Sequence, residues 1–240
     1  MLLLVSLVAC TGGVDELDDT GTPPISERQS VISLETRDGV VLEADYISAF
    51  EEDRPGIVLL HMNPESNDRS NWPESFVSKL ADRNYAVLVP DRRGAGNSEG
   101  VAQDSFQGES GKYDVEACVS YLEEAGVRSV SIVAASNGTT SALDYAVWAP
   151  GEALPEPLSM VFMTGGNYTE NNTEMTELTA EKLLFTYSTE EKGWSEMQQA
   201  VDPGSWTFME YGGGGHGTRM FDAIPASEDD IKDWLVERLG

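Results

Sequence analysis

The sequence predicts an α/β protein: a mostly parallel sheet of about eight strands, with an N-terminal β-hairpin and helices on both faces. Three observations carry this. Short, nearly continuous apolar runs recur at residues 57–61, 85–90, 130–133, 158–163, 183–187 and 206–211, as strands buried on both faces do. Between them lie stretches whose apolar residues fall on one side of a helix. At 240 residues and 40% hydrophobic, the chain is long enough for one mid-sized domain with an ample core.

Taken in order, the folded part is expected over 31–240. Runs at 31–36 and 40–48 flank Asp38-Gly39, a strong hairpin signal. Pro55-Gly56 introduces the first buried strand. A helix over 73–83 places Phe76, Val77 and Leu80 on one face, and the strand at 85–90 runs into Asp91-Arg92-Arg93-Gly94-Ala95-Gly96-Asn97-Ser98. In that loop Asp91 is expected to fix the arginines, and the run lacks a P-loop's lysine and spacing. A helix over 113–125 carries Cys118, read as a small buried hydrophobe. After the strand at 183–187 comes a helix near 194–201, and the strand at 206–211 leads into a glycine run. A last helix over 228–239 is expected to be capped by Ser227 with Asp230 three residues on, burying Ile231, Trp234, Leu235 and Leu239.

Composition narrows the function. Fifteen Lys+Arg stand against 42 Asp+Glu, a formal net charge of −27, which argues against nucleic acid because phosphate contact needs basic patches. No His/Cys/carboxylate cluster has metal-ligand spacing, so neither metal nor cofactor is implied.

The stretch Arg128 to Ala149 organises the chain. An alternating β-branched strand turns through Ala134-Ala135-Ser136-Asn137-Gly138 and continues as a helix over 139–148. A serine at the apex of so sharp a turn sits in a strained conformation, and strand and helix approach closely enough to demand small neighbours, here Ala134 and Gly138. This is the context in which a small-x-Ser-x-Gly pattern means a nucleophile elbow.

Other blocks join it. Leu59-Leu60-His61-Met62 with Trp72 downstream, the Asp91 to Gly100 run, the Ser136 elbow and Gly215-His216-Gly217-Thr218 stand in the order and spacing of the α/β-hydrolases. Residues 56–240 resemble that superfamily, closest to its dienelactone-hydrolase-like and serine-aminopeptidase-like branch. Two departures are a Met62 where many relatives have Gly, and a glutamate as the expected acid.

The resemblance implies a chemistry. A serine hydroxyl needs an adjacent base to take its proton. Of two histidines, only His216 lies downstream of Ser136, as the order serine, acid, histidine requires. The family spacing selects Glu191 as the acid that orients the imidazole, with Glu190 close behind and Glu170 the alternative on the preceding loop. His61 falls in the oxyanion-hole motif, so the donors for a developing oxyanion would be the backbone N–H groups of Asn137 and Met62, with the Met62 side chain walling the acyl pocket. Only about twenty residues separate the strands ending near Met163 and starting at Leu183, too few for a lid domain, which implies an open, shallow site.

The expected activity is a serine hydrolase cleaving carboxylic esters or related small acyl compounds through an acyl-enzyme. The alternatives are an amidase or peptidase with the same triad, and a non-catalytic envelope lipoprotein. Under each of these readings the N-terminus adds an envelope anchor. Residues 1–10 are apolar up to a cysteine, and Leu7-Val8-Ala9-Cys10 resembles the lipobox of bacterial lipoproteins, where Cys10 would carry the lipid. The short leader has no basic start, so the true start is expected upstream. Residues 11–30 read as an acidic, flexible tether. Together they predict a lipid-anchored protein of the bacterial cell envelope.

Overall fold

The computed structural model describes residues 22–178 and 183–240. The lipobox-like Cys10 and most of the expected tether lie outside the described residues. The eight strands are β1 (Gln29–Glu35), β2 (Val41–Ile47), β3 (Gly56–Leu60), β4 (Ala86–Pro90), β5 (Val130–Ala135), β6 (Ser159–Met163), β7 (Leu183–Ser188) and β8 (Thr207–Tyr211). They form one sheet in the order β1-β2-β4-β3-β5-β6-β7-β8. The hairpin pairs are antiparallel, as is β2 with β4, and every pair from β4 to β8 is parallel. The helices are α1 (Ile25–Arg28), α2 (Glu74–Ala81), α3 (Gly111–Glu124), α4 (Gly138–Trp148), α5 (Gly193–Gln199), α6 (Arg219–Ala223) and α7 (Ala226–Leu239).

Alternation along the central strands builds two cores, one on each face of the sheet. Val58, Leu60, Ile132, Ala134 and Phe162 point to the face covered by α3 and α4, where Val115, Cys118, Leu122, Leu143 and Tyr145 pack on them. Ile57, Leu59, Val133, Val161 and Met163 point the other way, onto α2 and α7. There Phe76 and Leu80 meet Ile231, Trp234, Leu235 and Leu239, the stripe expected of the last helix. Burial on both faces is why these strands read as apolar runs without polar alternation.

Three expectations need correcting. The fold begins before residue 31: α1 forms a turn at Ile25–Arg28, and β1 starts at Gln29. Arg28 ties this segment down by donating to the Ser48 carbonyl at 2.6 Å and lying over the Phe50 ring, a long-range anchor with no local signature. Ser227 does not cap α7. It lies inside the first turn behind Pro225, and its hydroxyl donates to the Ile224 carbonyl at 2.7 Å. Asp91 does not fix Arg92 or Arg93. Its carboxylate accepts from the Arg69 backbone N–H at 2.8 Å, pairs with the Arg69 guanidinium and accepts from the Asn97 N–H. Arg93 turns instead to Asp114 (2.7 Å) and Asp38 (2.8 Å).

Candidate active site

The loops at the C-terminal ends of β3 to β8 converge around Ser136, where ligands of open α/β sheets bind. Ser136 follows β5 directly and adopts φ +53°, the left-handed region that costs a side-chain-bearing residue energy. Its backbone pays this strain back in hydrogen bonds. The Ser136 N–H donates to the Met163 carbonyl at 2.8 Å, and its own carbonyl accepts from the Thr139 N–H (3.0 Å) and hydroxyl (2.6 Å). Gly138 is what lets α4 begin there, since any β-carbon would press into the His61 and Leu60 carbonyl oxygens of the strand alongside.

His216 comes from the glycine loop after β8. The structure brings its Nε2 to 2.7 Å from the Ser136 hydroxyl oxygen, eighty residues away. Its Nδ1 is hydrogen-bonded to Glu191 Oε2. With Nδ1–H donating to the carboxylate, Nε2 is left as acceptor for the serine hydroxyl proton. Glu191 ends a short turn, Thr189–Glu191, that follows β7 directly, and the pairing of Ser188 with Tyr211 sets β7 and β8 in register beneath it. Glu190 and Glu170 are exposed and lie off the imidazole. The His216 and Glu191 side chains are 39% and 40% exposed, so the arrangement opens to solvent. Between β6 and β7 the described residues form a 3₁₀ stretch, Glu170–Glu177, and no helical lid. That stretch is pinned to α4, where buried Asp144 accepts from Thr169 and Asn171.

Of the two expected oxyanion donors, Asn137 follows Ser136 in the chain and Met62 follows His61, and Arg92 Nη1 reaches both residues, at the Met62 carbonyl and Asn137 Oδ1. Asn137 and Met62 are buried, and among the described residues neither backbone N–H is taken by a protein acceptor. The Met62 side chain, expected to wall the acyl pocket, is a buried part of the core over α2. Its sulfur packs under Gly217, whose φ of +55° and lack of a β-carbon the close approach requires.

His61 stays out of the reacting array. Its Nε2 accepts from the Arg92 backbone N–H at 2.9 Å, so Nδ1 carries the proton and donates to the Met62 carbonyl at 2.8 Å. Burial, with the neighbouring Arg92 charge adding to it, pushes its pKa down to about 3 and keeps the ring neutral.

Two residues of the site were not singled out in the sequence. Thr164 follows β6 with φ +48°, an outlier for a β-branched residue, and its hydroxyl accepts from the Gly217 N–H at 3.2 Å. Arg92 is fully buried and donates to carbonyls and side chains on both sides of the serine turn. A β-branched residue gives no sequence signal of a positive φ, and Arg92 was hidden in a run that reads as a salt-bridged loop.

Solved structures show the same architecture. An esterase from Pyrococcus furiosus is 16% identical, with 88% of this chain and 91% of that chain covered and a TM-score of 0.63. An α/β serine hydrolase without a lid from Xanthomonas campestris is 13% identical over 91% of this chain and 98% of that one, at a TM-score of 0.67. A dienelactone hydrolase from Anabaena variabilis is 14% identical over 88% and 98%, at 0.68. No family model matches the chain, and no curated protein is similar to it in sequence. At such identities the likeness defines architecture: the chain has the α/β-hydrolase fold.

Proposed function

We propose that the protein is a serine hydrolase of carboxylic esters or related small acyl compounds. The observation that carries the reading is the Ser136–His216 hydrogen bond of 2.7 Å with Glu191 on the opposite ring nitrogen. In the proposed reaction His216 Nε2 takes the hydroxyl proton as Ser136 Oγ bonds to the acyl carbon. The carbonyl oxygen becomes an oxyanion held by the Asn137 and Met62 N–H groups. Collapse expels the alcohol, which leaves with the proton from His216, and the acyl group remains on Ser136. Water then repeats the sequence: His216 takes its proton, and the carboxylic acid departs as the proton returns to Ser136. Glu191 holds the imidazole in the required tautomer and stabilises its cation. The open approach to His216 and Glu191 favours small or exposed esters over long chains in a tunnel.

A fluorophosphonate probe tests the assignment. Ser136 Oγ would bond to phosphorus and fluoride would leave, labelling the wild type but neither Ser136→Ala nor His216→Ala. Failure of the folded wild type to label would overturn it. The lipobox-like Leu7 to Cys10 supports a further proposal, that Cys10 is lipidated and anchors the domain at the bacterial envelope. Metabolic labelling with a fatty acid, lost in Cys10→Ser, checks this.

A further inference from the structure

Arg92 follows β4, is 0% exposed and spends its guanidinium on neutral acceptors. Nη1 donates to the His61 carbonyl (3.1 Å), the Met62 carbonyl (3.3 Å) and Asn137 Oδ1 (2.9 Å). Nη2 donates to the Ser105 carbonyl (2.8 Å), the Asn137 carbonyl (3.3 Å) and Ser141 Oγ (2.8 Å). Among the described residues no carboxylate pairs with it, because Asp114, the acid nearest in effect, is engaged by Arg93.

The chemistry of the peptide group makes this pattern informative. The His61 carbonyl and the Met62 N–H are opposite poles of one peptide plane, and no peptide among the described residues is cis. A cation on the carbonyl therefore fixes the plane with its N–H pointing away, and polarises that N–H as a donor. The same guanidinium grips Asn137 by both its backbone and side-chain oxygens, holding the turn that presents the other N–H. Asp114 offsets this charge only at a distance, through its pairing with Arg93, and a buried cation with no carboxylate in hydrogen-bond contact is costly in the resting protein. The cost falls when negative charge appears just beyond the two peptides, where the low dielectric lets it act at short range.

We propose that Arg92 is the positioning residue of the oxyanion hole. Its guanidinium locks the Met62 and Asn137 N–H groups into convergence and places a buried positive charge behind them. The proposal rests on the serine-hydrolase reading and goes beyond it by assigning the device that sets the donors.

The test compares wild type, Arg92→Gln and Arg92→Lys, each checked for folding by near-ultraviolet circular dichroism. Labelling of the wild type by the fluorophosphonate comes first, so failure there strikes the hydrolase reading and not Arg92. Each variant then meets 4-nitrophenyl acetate and an aryl trifluoromethyl ketone. Ser136 adds to the ketone carbon, its proton passes to His216 and the carbonyl oxygen becomes an anion. The matched secondary alcohol, which forms no oxyanion, serves as control.

In Arg92→Gln we expect kcat to fall by about 10² with KM held within about twofold, and ketone affinity to fall in parallel while alcohol affinity holds. Arg92→Lys keeps the charge and loses the fork, so it should recover about tenfold of the kcat lost. A folded Arg92→Gln with kcat and ketone affinity within about threefold of wild type would overturn the proposal, as would equal losses for ketone and alcohol. If Arg92→Gln does not fold, Arg92→Lys decides alone. A kcat about tenfold below wild type with selective loss of ketone affinity supports the assignment, and unselective loss refutes it.

Discussion

A β-carbon built on Gly138 would stand 2.7 Å from the His61 carbonyl oxygen and 2.8 Å from that of Leu60, both atoms of backbone. Neither oxygen can swing aside as a flexible side chain would, so α4 must retreat from β3 to admit a methyl group. Gly138→Ala should destabilise the fold by about 1–3 kcal/mol, read from the urea midpoint. Because the same shift drags the Ser136 turn, fluorophosphonate labelling should slow even at temperatures where the variant is fully folded.

Glu191 and Glu190 are adjacent, exposed and chemically alike, yet only Glu191 meets the His216 ring. Glu191→Gln should lower kcat by about 10³ or more by losing the carboxylate that holds the tautomer. Glu190→Gln should leave kcat within about twofold, and both should lie within about 0.5 kcal/mol of wild-type stability. Ester hydrolysis and thermal melts on the two variants separate the roles.

Thr164 stands in a strained conformation and receives the Gly217 N–H, next to His216 in the chain. Thr164→Val removes the hydroxyl and leaves that buried donor unpaired, a loss of about 1–3 kcal/mol. Thr164→Ser keeps the oxygen and should stay near wild type in both stability and kcat. The pair of variants, compared by denaturant titration and ester turnover, isolates the hydroxyl from the volume.

His61 makes stability depend on acid. Its folded pKa is about 3, below the 6.5 of the unfolded chain, so between those values the unfolded state binds the extra proton. Stability therefore rises with pH across this window and is lost as pH falls through 6.5 towards 3, by up to about 1.4 kcal/mol per pH unit from this one group. Carboxylates shift in both directions, lowered at Asp38 by its bond to Arg93 and raised by burial at Asp114 and Asp144, so a comparison with a variant is what isolates the imidazole. Denaturant midpoints between about pH 4.5 and 6 should fall more steeply for wild type than for a folded His61→Gln variant, in which Gln keeps hydrogen-bonding capacity without titrating.

Much of the frame was legible because sheet burial leaves a plain trace. Strands β3 to β7 are apolar on both faces, and the turn at Ser136 advertises itself through Ala134 and Gly138, where steric demand is local. The ordering of Ser136 before His216 and the glycines around the histidine were equally readable. What escaped depends on distant partners. Asp91 looks like the natural mate of the arginines beside it, but backbone geometry turns it to Arg69, while Arg93 reaches Asp114 on α3. Ser227 has the right spacing to cap α7, but Pro225 starts the helix earlier and leaves the serine inside the first turn. The preference for Glu191 over Glu190 rests on the family spacing alone, and it is a short 3₁₀ turn that brings Glu191 to the His216 ring.

Trp194 sits at a junction that makes it an internal gauge. Its indole packs where a β-carbon on Gly165 would be, one residue past Thr164, and its Nε1–H donates to Asn172 Oδ1 at 3.0 Å. It also meets the Phe162 and Phe185 rings edge-on or tilted, and is only 8% exposed. Any rearrangement of the β6 loop on substrate engagement must change the polarity around this ring, so its fluorescence offers a label-free signal of events beside Ser136, once the other four tryptophans are replaced by phenylalanine.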